Sequence, residues 1–249
     1  MNRKFWFGLS TQISIGVGIY FISFIVFLNC SKDGKNPVKP STLVTVTDID
    51  GTVYQTVKIG NQWWMAENLK VTHYRNGDAI PNVTGNTEWN NLTTGAYCNY
   101  DNNSNNAATY GRLYNCYAVN DSGNIAPAGW HVPSDNEWKT LEMTLGMSQT
   151  EADRSGMRGT DEGFKLKETG TSHWQIPDTL ASNESGFTAL PGGIRYSVGP
   201  FDVLGVVAFF WSSTEGSNST AWYRGIGGPG VFRGSIDKHW GYSVRCVRD

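Results

Sequence analysis

The sequence predicts an α+β domain in which many short antiparallel strands are joined by long loops and accompanied by two helices. Charged residues make up only 17% of the 249 residues, while glycine occupies 29 positions and tryptophan ten. Few charges together with many tryptophans and glycines argue against a disordered chain, a coiled coil or a helix-rich protein. Short segments of alternating apolar and polar residues recur from residue 45 to residue 247, as expected for strands.

The first 43 residues predict export and a membrane anchor. Arg3 and Lys4 precede a segment without charged side chains, residues 5–29, which is typical of a secretory signal or a membrane anchor. The segment ends at Cys30, as in the lipobox of bacterial lipoproteins. We therefore expect residues 1–29 to be a signal peptide, Cys30 to carry a lipid, and residues 30–43 to form a flexible tether.

The lipobox is imperfect, so two alternatives remain. Asn29 stands where glycine, alanine or serine is usual, which leaves an uncleaved signal-anchor or an ordinary secreted protein open. Lipidation would attach the remaining domain, residues 44–249, to the bacterial cell envelope, with the outer membrane as the expected site. The formal net charge is −2 and no long basic run occurs, so nucleic acid is not an expected partner.

The domain begins with two predicted hairpins. Residues 45–59 alternate β-branched and polar side chains on both sides of Asp50-Gly51, a pair typical of a two-residue hairpin turn. A second turn at Gly60-Asn61 leads to a strand over residues 62–65. Residues 73–109, rich in Asn, Thr and Gly, are predicted to form long ordered loops.

The clearest helix signal begins at Ser134. Glu137 follows three residues later, and this spacing is a capping box in which each residue satisfies a backbone amide of the other. The apolar positions Trp138, Leu141 and Leu145 then share one face, and Gly146 is a suitable end.

The remaining elements are shorter. A second helix is predicted near Glu162–Lys167, and Gly225–Gly230 is predicted to be a hairpin loop. Further strands are expected over residues 112–119, 209–212, 221–226, 231–235 and 242–247.

Several segments carry a resemblance to a known family: residues 47–54, 57–69, 110–115, 129–138, 166–174, 183–193, 211–215 and 243–247. In this order they resemble the Fibrobacter succinogenes major paralogous domain family, over about residues 44–249. The family is similar in motif layout to C-type-lectin-like and formylglycine-generating-enzyme-like domains. The resemblance implies a loop-rich, C-type-lectin-like α+β fold and an exported bacterial lipoprotein, and it implies no particular reaction.

The resemblance also bears on the cysteines. Cys116 stands where many family members have tryptophan, and Ala126 where they often have cysteine. Because these two positions alter the usual disulfide network of the family, the resemblance implies Cys98–Cys246 as the expected disulfide and Cys116 as a buried thiol.

Catalysis is not expected. The formylglycine-generating relatives need a pair of nearby cysteines, whereas this chain has only Cys246 near its C-terminal end. An iron-dependent branch needs clustered histidines, and the four histidines here lie far apart in sequence: His73, His131, His173 and His239. We therefore predict a protein that is not an enzyme.

A calcium site has only weak support. Residues 101–105 place oxygen-bearing side chains at alternating positions, as calcium loops do. The sixth position lacks glycine, and Arg112 stands where the twelfth position needs glutamate. The segment therefore favours a solvated turn rich in Asn and Asp over a metal site, and no cofactor is predicted.

Aromatic residues near the C-terminal end are the one positive binding signal. Flat rings stack on sugars or anchor protein interfaces, although rings in short strands often belong to a core. We predict a surface-anchored, non-enzymatic, lectin-like module that binds a glycan or a partner protein. The alternative is a structural envelope lipoprotein without a small-ligand site. The predicted binding residues are Trp222, Tyr223, Trp240 and Tyr242, with Phe232 nearby.

Overall fold

The computed structural model describes residues 44–175 and 179–249. Within these residues there are six α-helices, a 3-10 turn at Tyr100–Asn102 and thirteen strands. The helices are α1 (Asn86–Asn90), α2 (Ser104–Tyr110), α3 (Cys116–Val119), α4 (Asp135–Thr144), α5 (Gln149–Asp153) and α6 (Glu162–Leu166). The strands are β1 (Thr45–Thr47), β2 (Val53–Ile59), β3 (Gln62–Met65), β4 (Tyr97–Cys98), β5 (Leu113–Tyr114), β6 (Trp130–His131), β7 (Gly156–Arg158), β8 (Gly192–Arg195), β9 (Phe201–Leu204), β10 (Ala208–Glu215), β11 (Thr220–Ile226), β12 (Val231–Asp237) and β13 (Val247–Arg248).

The predicted signal peptide, Cys30 and the tether lie outside the described residues. Among the helices of the described part, none has the length and apolar character needed to cross a membrane.

Two antiparallel sheets dominate this α+β architecture. The first sheet has the strand order β1-β2-β3-β13-β6, and the second has the order β10-β11-β12-β7. Two further ribbons pair β4 with β5 and β8 with β9. The first sheet joins the start of the domain to its end, because β13 lies between β3 and β6.

The first hairpin forms where predicted, but its loop is longer than two residues. The strand register ends at Thr47 and Val53, and the Asp48 carboxylate accepts the Thr52 amide at 2.9 Å. The acidic side chain closes the turn in place of a further strand pair. The second predicted turn is confirmed, since Ile59 pairs with Gln62 and Gly60 has a φ of 60°.

Helix α4 begins at the predicted capping box. The Ser134 hydroxyl accepts the Glu137 amide at 3.3 Å, and the Glu137 carboxylate accepts the Ser134 amide at 2.8 Å. Trp138 is fully buried, and its ring lies 4.9 Å from the ring of Trp64 and 5.7 Å from that of Phe210. The helix therefore packs its apolar face between the two sheets.

Three parts of the sequence interpretation are wrong in detail. Residues 73–109 contain β4, α1 and most of α2 instead of loops alone, so there are more helices than the two predicted. The strand expected over residues 112–119 ends at Tyr114, because the Asn115 side chain accepts the Ala118 amide and starts α3. In the strand expected over residues 242–247, only Val247 belongs to a named strand, β13.

Buried arginines hold the long loops in place. The Arg195 guanidinium donates to the carbonyls of Val83, Thr84 and Gly199, and Arg245 donates to those of Phe187 and Thr188. Both side chains are fully buried. A loop carbonyl inside a protein needs a hydrogen-bond donor. Each guanidinium supplies several N–H donors to loop carbonyls that have no partner strand.

The core is divided into neighbouring clusters. The largest contains Tyr54, Tyr114, Trp211 and Tyr242. A second packs α4 against both sheets through Trp64, Trp138, Phe187 and Phe210.

Candidate ligand-binding face

The second sheet has two chemically different faces. Its register places Trp211 opposite Tyr223, and Phe232 opposite both Gly225 and Met157. Because successive side chains of a strand point to opposite faces, these residues share one face, which we call the aromatic face. The other face, which we call the charged face, carries Arg158, Trp222, Arg224 and Arg233.

The aromatic face forms an open groove. The Tyr223 ring lies 5.7 Å from the Phe232 ring in a stacked geometry and 6.0 Å from the Phe209 ring. Gly225 lies between them, and a Cβ atom there would come within 3.2 Å of Phe209 and 3.4 Å of Phe232. The groove encloses about 330 Å³ between these rings, Met157, Val207 and nearby glycines. All of these side chains are uncharged.

The rings continue beyond the groove. Tyr242 lies 5.2 Å from Tyr223, Trp240 lies 5.9 Å from Tyr242, and Tyr196 lies 4.9 Å from Trp240, measured between ring centroids. The Tyr196 hydroxyl donates to the Asp202 carboxylate at 2.8 Å. We call the continuous row the aromatic band; its members are Phe232, Tyr223, Phe209, Tyr242, Trp240 and Tyr196.

The structure divides the four predicted binding residues. Tyr223 and Trp240 are half-buried members of the band. Tyr242 is 2% exposed, so its ring is the enclosed member of the band and packs into the largest core cluster. Trp222 lies on the charged face, with the Arg233 guanidinium 3.8 Å from its ring centroid. Trp222 and Tyr223 are neighbours in sequence and for that reason point to opposite faces.

The charged face is a buried ionic network beneath α4. Both oxygens of the Glu142 carboxylate accept from Arg158, at 2.8 and 2.9 Å, and one also accepts from Arg224 at 2.6 Å. Asp135 accepts from Arg224 at 2.9 Å and from Arg233 at 2.9 and 2.8 Å. These contacts fasten α4 to β7, β11 and β12.

The network sets the pKa of Asp135. Burial alone would raise this pKa above the ordinary 3.8, but the hydrogen bonds and charges of Arg233 and Arg224 hold it at about 2. The carboxylate is therefore ionised at neutral pH, and the face is a structural tie between helix and sheet.

The predicted Cys98–Cys246 disulfide is absent. The structure holds Cys98, Cys116 and Cys246 as free, buried thiols. Cys98 lies in a small cluster with Trp89 and Leu113, whereas Cys246 lies in the largest cluster. Burial raises the pKa of the Cys98 and Cys116 thiols to about 12, and it raises that of Cys246 as well.

Each histidine is paired with carboxylates in its own neighbourhood. His73 contacts Asp50 at 2.6 Å, His173 contacts Glu168 at 2.9 Å, and His239 contacts Asp237 at 2.7 Å. His131 lies between two carboxylates, those of Glu137 and Asp249. In the part of the chain that the structure describes, no three His, Cys, Asp or Glu side chains come together as a metal site.

The segment considered for calcium forms a tight turn. Asp101 and Asn102 adopt positive φ angles of 52° and 55°, and the Asn102 side chain donates to the Thr84 carbonyl at 3.3 Å. The Asn103 side chain accepts the Asn105 amide and caps α2. The side chains of Asn102 and Asn103 thus both bind backbone groups, Asn103 within its own turn and Asn102 in a separate loop.

Sequence reasoning missed two sets of residues. Phe209, Met157 and Tyr196 join the aromatic surface only through strand register and loop packing, which short motifs do not encode. Arg224 and Arg233 of the charged face lie one position from Tyr223 and Phe232. The period-2 alternation of β11 and β12 is the signal that could have separated these arginines from the aromatic residues.

Comparison with known proteins gives one finding. Residues 57–248 match the family model described as the Fibrobacter succinogenes major domain. Neither the curated proteins nor the solved structures contain a significant match to the chain.

Proposed function

The chain belongs to the Fibrobacter succinogenes major domain family, and from this premise we propose that it is a lipid-anchored, non-enzymatic module that binds a glycan on its aromatic band. The proposal rests on one observation: half-buried rings line an open groove whose walls carry no charged side chain. A contiguous apolar patch at the surface often marks a ligand or partner site, whereas single exposed apolar side chains do not.

A glycan fits this groove better than a charged small molecule. The flat faces of Tyr223 and Phe232 offer the stacking surface that the apolar faces of sugar rings use. Met157 at the rim is 61% exposed, which adds apolar contact area. A partner protein anchored by the same rings is the other expected ligand class.

The non-enzymatic part is supported by the state of the thiols and histidines. A thiolate is the reactive form of cysteine, and burial raises the pKa of Cys246 above its ordinary 9.0. The thiol is therefore protonated and enclosed at neutral pH. Each histidine is held by a nearby carboxylate, in a role that orients side chains and links loops.

The proposal includes a lectin-like fold, in which the C-terminal strands and the loops beside them form the aromatic band. Long loops around two antiparallel sheets support it. The alternative is a structural envelope lipoprotein without a small-ligand site. The burial of Tyr242 and the contact of Trp222 with Arg233 are the observations that favour this alternative.

Lipidation at Cys30 supplies the anchor in this proposal and places the domain on the outer membrane. Cys30→Ser should release the protein from the detergent phase or block its processing, because the acylated thiol would be missing. Incorporation of labelled palmitate and phase partitioning measure this, with Ser31→Ala as the matched control. Unchanged processing and membrane retention in Cys30→Ser would instead indicate an uncleaved signal-anchor.

The glycan proposal is tested with the full chain, purified in detergent, against a panel of immobilised polysaccharides. Phe232→Ala should weaken binding at least ~10-fold, since it removes one stacking surface of the groove. Ile49→Ala is the control, because Ile49 is 53% exposed and lies in the loop between β1 and β2, next to the first sheet. Equal binding by both variants, or no binding to any glycan, would favour the structural alternative.

A further inference from the structure

Tyr242, at the centre of the aromatic band, differs in its hydrogen bonding from the two other fully enclosed tyrosines, Tyr54 and Tyr114. Tyr54, Tyr114 and Tyr242 are the tyrosines among the largest fully enclosed side chains of the described residues. The Tyr54 hydroxyl donates to Asp48 at 2.6 Å, and the Tyr114 hydroxyl donates to the Val71 carbonyl at 2.7 Å. The Tyr242 hydroxyl has no hydrogen-bond partner among the described residues. A buried phenol normally finds one.

The unpartnered hydroxyl is not sealed inside the protein. In the described part of the chain, the unpartnered side-chain atoms that are closed off from solvent are Arg158 Nε and Trp174 Nε1. The Tyr242 oxygen is not one of them and therefore reaches the surface, although the residue is only 2% exposed. A fixed ring with an accessible hydroxyl is a preorganised hydrogen-bonding group, because no side-chain freedom is lost when it binds.

The surroundings of this hydroxyl belong to the band. The Tyr242 ring is nearly parallel to that of Phe209 at 5.1 Å and lies 5.2 Å from that of Tyr223. Burial raises the pKa of Tyr242 well above 10.0, and the nearby phenols of Tyr223 and Tyr196 raise it further. The Tyr223 hydroxyl also has no partner among the described residues, so two free phenols lie side by side.

We infer that the band recognises a neutral sugar chain, with the Tyr242 and Tyr223 hydroxyls hydrogen-bonding to sugar hydroxyls while the neighbouring rings stack on the sugar faces. This inference rests on the proposed function and specifies its ligand. A neutral phenol can donate to and accept from a hydroxyl group.

Charge distinguishes neutral from acidic chains. The groove carries no charged side chain to balance a carboxylate or sulfate group, and burying an unpaired charge is costly. At the other end of the band, the Asp202 carboxylate adjoins Tyr196 and repels anions. The chain as a whole has a formal net charge of −2. Acidic polysaccharides are therefore excluded as preferred ligands.

The test uses Tyr242→Phe, Tyr223→Phe and the double variant in the full chain. These substitutions keep the rings and remove hydroxyls that make no hydrogen bond within the described residues, so folding is retained. Affinities are measured by calorimetric titration with linear glucans, mannans, xylans and galactans. For the polysaccharide that the unsubstituted protein binds best, each variant should bind ~3–10-fold more weakly than the unsubstituted protein. Tyr114→Phe is the control: its buried hydroxyl is already bound to the Val71 carbonyl, so the substitution should keep the affinity while lowering the melting temperature.

The outcomes separate the two proposals. Unchanged affinity in the double variant, together with loss in Phe232→Ala, overturns the role of the hydroxyls and leaves glycan binding standing. Equal or tighter binding of polygalacturonate or a sulfated galactan overturns the neutral class. If no neutral chain binds, or if Phe232→Ala binds normally, the proposed function itself fails.

Discussion

The two faces of the β10-β11-β12-β7 sheet are built from alternate residues of the same strands and use them for opposite purposes. On the charged face, Arg158, Arg224 and Arg233 are buried and joined to two carboxylates of α4. On the aromatic face, Tyr223 and Phe232 are half-buried and line an open groove. A strand can thus fix a fold with one residue and present a ligand surface with the next.

Two neighbouring aromatic residues of β11 show that composition alone does not identify the ligand surface. Trp222 and Tyr223 are both large aromatic residues near the C-terminal end, yet only Tyr223 faces the groove. Trp222 covers Arg233, and this guanidinium in turn holds Asp135. The contribution of an aromatic residue depends on its face, and sequence proximity is no guide to shared function.

The largest expected effect lies on the charged face. Glu142→Gln leaves Arg158 without its buried counter-charge and leaves Arg224 with Asp135 alone. Removing one partner of a buried pair costs about 3–5 kcal/mol. Denaturant unfolding measures the loss, with the exposed Glu88→Gln as the control. A loss as small as that of the control would show that water reaches the network, and the two faces would no longer differ in burial.

The second effect is the response to acid. The folded-state pKa of Asp135 is about 2, below the ordinary 3.8, so the stabilisation is present above about pH 4 and is lost as the pH falls through 2. The shift corresponds to about 2 kcal/mol. Urea unfolding between pH ~5 and ~2 should show this loss, while ligand affinity of the folded protein stays constant because the band's phenols are neutral there. A pH-independent free energy of unfolding would contradict the role of Asp135.

The smallest effect concerns the cap of α4. Ser134→Ala removes the acceptor for the Glu137 amide and should cost about 1 kcal/mol. Because α4 packs against the charged face of this sheet and not against its aromatic face, affinity for a glycan should not change. Thermal unfolding of Ser134→Ala beside Ser182→Ala, in a loop remote from the helix in sequence, provides the comparison. A loss of binding in Ser134→Ala would mean that the two faces are coupled.

Local signals explain what could be predicted from the sequence. The capping box of α4 and the Gly60-Asn61 turn involve residues within three positions of each other, and both formed as expected. The short helices α2 and α3 begin at Asn103 and Asn115, whose caps compete with strand formation. A single asparagine is too common a residue to predict a helix start.

The candidate site was harder to predict, because it depends on long-range register. Met157 meets Phe232 across β7 and β12, and Tyr196 meets Trp240 from a separate ribbon. Neither contact leaves a pattern within one segment. The resemblance identified the family, but the expected disulfide did not follow, since Cys98 and Cys246 lie in different core clusters.

The most direct test of the division between the faces compares Tyr223→Ala with Trp222→Ala in the same binding assay. Both residues are half-buried neighbours in β11, and each substitution should cost about 1–2 kcal/mol of stability through lost ring contacts. We expect Tyr223→Ala to weaken glycan affinity at least ~10-fold and Trp222→Ala to leave it unchanged. Equal losses of affinity, or a loss confined to Trp222→Ala, would contradict the assignment of ligand binding to the aromatic face.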